Sequence, residues 1–189
     1  MRKSVLTEND YIQFYKAITF GNVDNPISSA VNLAYKDLCR TITGFGKHSC
    51  HNIIHKKAVD VLCHNISNLF ATEIAIQSDF DLWHKSCCDD LITAFDSQPF
   101  YYGQAQKWIN MSFKYLSLMD YSLVEHHYEF FHVPIDNYII NITNIKLSVA
   151  WSRISDYEEY IKFQKAFSDK YNGIPLDEEF RLWLDAKNK

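Results

Sequence analysis

Glycine and proline are scarce in this chain, at 5 and 4 of 189 residues. A β-sandwich or barrel of this length needs a turn about every 8–12 residues and draws on both for its turns. The scarcity points instead to long helices with few breaks. It also gives weight to each position where a glycine or proline does occur.

Helical periodicity fills most of the sequence. Thr7 is placed to cap a first helix whose apolar face is Tyr11, Phe14, Tyr15 and Ile18. The turn GNVDNP (21–26) leads to a second helix carrying Ala30, Leu33, Ala34, Leu38 and Ile42, which Gly44-Phe45-Gly46 ends. A third runs from Ile54 to Phe70. A fourth, capped by Ser78 or Asp79, carries Phe80, Leu82, Trp83, Cys87 and Leu91. The break Ser97-Gln98-Pro99 precedes a fifth, from Gly103 or Gln104 to Met119. After an aromatic and histidine-rich connector, Pro134 opens a helix from Ile135 to Val149. Another runs from Ser155 or Asp156 to Tyr171, and a last one from Leu176 to Ala186. No repeat, low-complexity tract or linker divides the chain. The reading is an all-α fold, residues 1–189 forming a single compact helical domain.

Composition narrows the classes further. Aromatic residues make up 15% of the chain, far above what disordered sequences carry. No run of about 18 apolar residues is present, so no membrane span is expected. The N-terminus MRKSVLTEND lacks the apolar core of a secretory signal. Five cysteines, two of them adjacent (Cys87 and Cys88), make a poor disulfide framework and suit free thiols in a reducing cytoplasm. The net charge of −4 argues against binding nucleic acid by bulk charge, though not against a local basic site near Lys36, Arg40, Lys47, Lys56 and Lys57.

Chemistry concentrates in Tyr101–Ile140, YYGQAQKWINMSFKYLSLMDYSLVEHHYEFFHVPIDNYII. Gly103 opens a turn, and Lys107 follows near a helix start, where the macrodipole disfavours a cation. That field, with partial burial, favours a nucleophilic amine. Asp136 follows Pro134 at the next helix start, where free backbone N–H groups stabilise a carboxylate. Each feature also has an ordinary account: a surface lysine on an amphipathic helix, and an acidic helix N-terminus.

Taken in order, Gly103-Gln-Ala-Gln-Lys107 and His132-Val-Pro-Ile-Asp136 resemble the hairpin-lysine and Pro-hydrophobic-Asp segments of the helix-hairpin-helix DNA glycosylase superfamily. GQAQKWINMSFKYL is most similar to the archaeal GO (8-oxoguanine) glycosylase branch. The resemblance covers about a fifth of the chain. It implies a base-excision glycosylase with AP-lyase action. Lys107 would attack C1′ of a damaged nucleotide and form a Schiff base, with Asp136 assisting base departure and proton transfer. The partner would be DNA holding a flipped nucleotide. Contacts would come from Gly103, Gln104, Tyr101, Tyr102, Trp108 and His132, with phosphate on the hairpin N–H groups. No cofactor or metal is expected. The sequence departs from the pattern at Ala105, nearest the second hairpin glycine, and in its 29-residue lysine-to-aspartate spacing. Residues 101–150 also hold three lysines against four acids.

Other clusters carry less. Cys50, His51, His55, Cys63 and His64 have the residue types of a zinc site but no CxxC pair, and Cys50–His55 and Cys63–His64 would need a specific turn to converge. The distance from Arg40 to His48 is too long for the Arg–His pair of RNA-cleaving helical proteins. The alternative to an enzyme is a helical protein-interaction module or small bacterial or phage regulator that presents an aromatic face to a protein partner.

Overall fold

The computed structural model describes residues 6–21, 24–96 and 98–187. Among them every regular element is helical. Helix α1 (Glu8–Phe20) begins at a capping box: the Thr7 hydroxyl accepts from the Asp10 N–H, and the Asp10 carboxylate accepts from the Thr7 N–H at 2.8 Å. Helix α2 (Pro26–Leu38) starts with proline in its first turn and Asn25 as its cap. It gives way to a 3-10 turn (Cys39–Thr41), and Gly44, at φ 76°, turns the chain into a second one (Phe45–Lys47). Helices α3 (His51–Phe70), α4 (Gln77–Ala94) and α5 (Tyr102–Met119) follow. After them come a single turn, α6 (Tyr121–Val124), the short α7 (Asn137–Thr143), α8 (Tyr157–Lys170) and α9 (Pro175–Lys187).

Helix α5 is the axis of the core. It packs chiefly on α2 and also on α4, α8 and the 3-10 turn Trp151–Arg153. Every residue from Gly103 to Phe113 is buried. Trp108 is completely covered, lies 5.0 Å from the Tyr35 ring centroid, and donates its indole N–H to the Val31 carbonyl at 2.8 Å. Gly103 is needed for close approach: a Cβ there would lie 1.7 Å from the Trp151 carbonyl oxygen. The segment 131–136 belongs to no regular element, with Phe131 and Asp136 extended, and its first five residues are buried.

Three expectations change. The helix read as Ile135–Val149 shrinks to Asn137–Thr143. At its start, residue 135 stays outside the helix and Asp136 is extended. At its end, Asn144 takes the left-handed conformation (φ 54°) and donates its N–H to Ile140, a short-range C-cap that asparagine tolerates. Helix α4 begins at Gln77 without a side-chain cap, and Leu82 on it is exposed. The apolar face of α1 is also exposed: Phe14, Tyr15 and Ile18 are each about two-thirds accessible. What holds α1 is its C-terminal half, through Lys16 donating to the Met119 carbonyl at 2.8 Å and Phe20 against Tyr115. No described helix is long and apolar enough to cross a membrane.

Candidate active site

Lys107 and Asp136 meet in one cleft of about 780 Å³. The Lys107 Nζ donates to Asp136 Oδ2 at 2.7 Å. The lysine side chain is nearly buried (6% accessible), whereas the aspartate is 29% accessible and forms the more open half of the pair. Because α5 begins at Tyr102, Lys107 lies in its second turn, where the helix field has largely faded. Its environment is therefore set by burial and by Asp136. Asp136 is the N-cap of α7, and its other oxygen, Oδ1, accepts from the Ile139 N–H at 2.8 Å.

The rest of the cleft comes from distant parts of the chain. On α5, Met111 and Lys114 continue the face that carries Lys107, four and seven residues on. Lys114 is bound by both carboxylate oxygens of Glu179 on α9, at 2.6 and 2.7 Å, and lies over the Phe180 ring. Both partners of this pair are largely buried. Arg40, from the turn after α2, lies on the cleft wall, as does Asp37, which accepts from the Tyr115 hydroxyl at 2.8 Å. Burial, reinforced by the bond to Asp37, raises the Tyr115 phenol well above its usual range, so it stays a neutral donor. Tyr15, Tyr138, Trp151 and Trp183 supply aromatic surface. Three cations (Arg40, Lys107, Lys114) thus stand against three carboxylates (Asp37, Asp136, Glu179). The chemical capacity is specific: a lysine and a carboxylate are joined by one hydrogen bond beside a space that can admit a ligand.

The other residues expected at the site lie elsewhere. Trp108 is wholly buried in the core, so the expectation that it touches a base is corrected: it has no free face or N–H to offer. The Gly103 N–H donates to the Ile154 carbonyl, and the N–H groups of Gln104 and Ala105 both donate to the Tyr101 carbonyl. The expectation of a hairpin phosphate site is therefore corrected too, because these donors are already engaged. Gln104 is buried, accepts from the Tyr101 N–H, and donates to the Thr41 carbonyl at 2.9 Å, which fixes the turn that carries Arg40. Tyr101 and Tyr102 line a separate, smaller cleft with Asp89, whose carboxylate accepts from the Tyr102 hydroxyl. His132 lies in another small cleft, bonded to the Tyr160 hydroxyl at 2.7 Å and to Asp81 at 2.9 Å.

Sequence reasoning missed Lys114, Tyr115 and Glu179 as site residues, and it placed Arg40 in a basic patch rather than at this cleft. The spacing of Lys107, Met111 and Lys114 on one helical face was a readable signal for Lys114. Glu179 carried no local signal, because only the fold brings α9 to α5. The His51 and His55 rings stack at 5.9 Å, and His55 stacks in turn on Trp108. Among the described residues no group of three or more His, Cys, Asp or Glu converges as metal ligands would. Comparison with protein-family models, curated proteins and solved structures finds no match to this chain.

Proposed function

We propose that this chain is a DNA base-excision glycosylase with AP-lyase action, in which Lys107 is the Schiff-base nucleophile and Asp136 its proton partner. The observation that carries the reading is the 2.7 Å contact between these two side chains, 29 residues apart, at the edge of a cleft large enough for a flipped nucleotide. In this reading α4, the turn after it and α5 stand for the helix-hairpin-helix element. In the ion pair Lys107 is an ammonium and cannot attack. Passing a proton to Asp136 Oδ2 frees the amine. The amine then bonds to C1′ of the deoxyribose, the C1′–base bond breaks, and its electron pair leaves with the base, which takes up a proton. Opening of the sugar ring gives the Schiff base. Arg40 at the wall supplies a cation for the DNA backbone, and the aromatic wall supplies surface for an unstacked base.

The experiment is borohydride trapping on duplexes that contain 8-oxoguanine or an abasic site. Wild type forms a covalent protein–DNA adduct, and Lys107→Ala forms none while keeping its helical circular dichroism. Absence of an adduct with wild type on either duplex defeats the proposal. A second reading, a helical module that binds a protein partner, is favoured by the exposed aromatic face of α1. A stable protein partner whose binding is lost with Phe14→Ser, together with no adduct, selects it.

A further inference from the structure

Gln106 and Gln164 do for segment 131–136 what neighbouring strands do in a sheet. The segment belongs to no helix and is buried through residue 135, so each backbone N–H and C=O there needs a partner. Gln106 on α5 accepts from the Ile135 N–H at 3.1 Å and donates to the Ile135 carbonyl at 3.0 Å. Gln164 on α8 accepts from the Val133 N–H at 3.1 Å and donates to the Val133 carbonyl at 2.9 Å. The alternate residues Val133 and Ile135 are thus each bracketed by one primary amide, which matches a peptide group in donor, acceptor and geometry. Asn110 ties the two brackets together by donating to the Gln106 amide oxygen and, at 3.3 Å, to the Val133 carbonyl. Gln106 and Asn110 have no accessible surface, and Gln164 has very little.

The register of this clamp reaches the cleft. Gln106 and Ile135 are 29 residues apart, as are their chain neighbours Lys107 and Asp136. One side chain of α5 therefore grips the segment one residue before the aspartate, and the next side chain of α5 bonds that aspartate. We infer that Gln106 is a positioning residue that holds Asp136 against Lys107, with Gln164 as its second support. The inference rests on the reading of Lys107 and Asp136 as the reacting pair. The clamp holds Ile135 outside the helix, so that Asp136 becomes the N-cap of α7 and directs Oδ2 at Lys107.

The test compares wild type, Gln106→Met and Gln164→Met. Methionine keeps the length of the side chain and removes both amide bonds. Reductive methylation of the DNA-free protein, mapped by mass spectrometry, reports on the pair directly. In Gln106→Met, Lys107 is modified about fivefold faster than in wild type, the factor expected of one weakened hydrogen bond. Lys114, buried in its own ion pair, keeps its rate. An unchanged Lys107 rate, or an equal rise at Lys107 and Lys114, overturns the inference, the latter because it marks general loosening. Gln164→Met shifts Lys107 in the same direction by less, and it decides the question if Gln106→Met does not fold. With DNA, the single-turnover trapping rate at saturating substrate falls on the order of ten- to a hundredfold in Gln106→Met while DNA affinity is kept. If wild type forms no adduct, the function reading falls, and the methylation ratio still decides whether the clamp holds Asp136.

Discussion

Helices α1 and α5 read alike in the sequence and end in opposite environments. Both carry regular apolar stripes. Helix α5 is buried on all sides through Gly103–Phe113, including Gln104, Gln106, Asn110 and Ser112. Helix α1 has no buried residue. Periodicity shows that a face exists, but whether another element covers it depends on the rest of the fold. For α5 the cover is α2, α4, α8 and segment 131–136, and the buried amides match the backbone groups they meet. For α1 the anchors are Lys16 and Phe20, and the apolar face lies beside the cleft, which Tyr15 lines.

Three measurements sharpen that contrast. The largest effect is expected at Trp108: Trp108→Ala removes a fully buried ring and its hydrogen bond to the Val31 carbonyl, which costs about 3–5 kcal/mol in urea unfolding. A loss of about 1 kcal/mol or less would show that α5 is not the core axis.

An intermediate effect comes from His84, which is wholly buried among Asn110 on α5, Tyr157 and Tyr160 on α8, and Cys88 and His132. Burial, and then the neighbouring His132, hold its imidazole well below the usual histidine range. The unfolded chain therefore binds a proton that the folded one refuses. Stability falls as pH drops below the unfolded value of about 6.5, by at most about 1.4 kcal/mol per pH unit. Asp81 adds in the same direction at lower pH. Burial raises its carboxyl, but hydrogen bonds from His132 and Gln77 outweigh that and leave it lowered, so its stabilisation is lost as pH falls through the folded value. Denaturation curves between pH 7 and pH 5 check the His84 contribution, and a flat profile there contradicts a neutral buried His84.

The smallest effect belongs to α1. Phe14→Ser with Ile18→Ser changes unfolding free energy by no more than about 0.5 kcal/mol, as exposed positions do. A loss of about 2 kcal/mol would mean that this face is covered in solution.

Much of this was legible beforehand. The scarcity of glycine and proline leads to the all-helical reading, Thr7 marks the first cap, and Asp136 stands at a helix start as expected, whereas Lys107, read at a helix start, lies a turn further on. The flanking contacts were less legible. Tyr101, Tyr102 and Trp108 neighbour Lys107 in the chain, but the helical turn sends them to other faces, and Trp108 into the core. His132 precedes Asp136 by four residues in a non-helical segment, far enough to enter a different cleft. Arg40 and Glu179 needed the fold to arrive. The overlong α7 has a similar cause: its β-branched run fits several conformations, and the glutamine brackets and Asn144 select a short helix.

Lys107 is the proposed nucleophile, and the site of the covalent bond tests that role most directly. Digestion of the borohydride-reduced protein–DNA adduct, followed by tandem mass spectrometry, is predicted to place the sugar remnant on the Lys107 Nζ. A remnant on Lys16, Lys114 or the N-terminal amine, with Lys107 unmodified, would contradict the account.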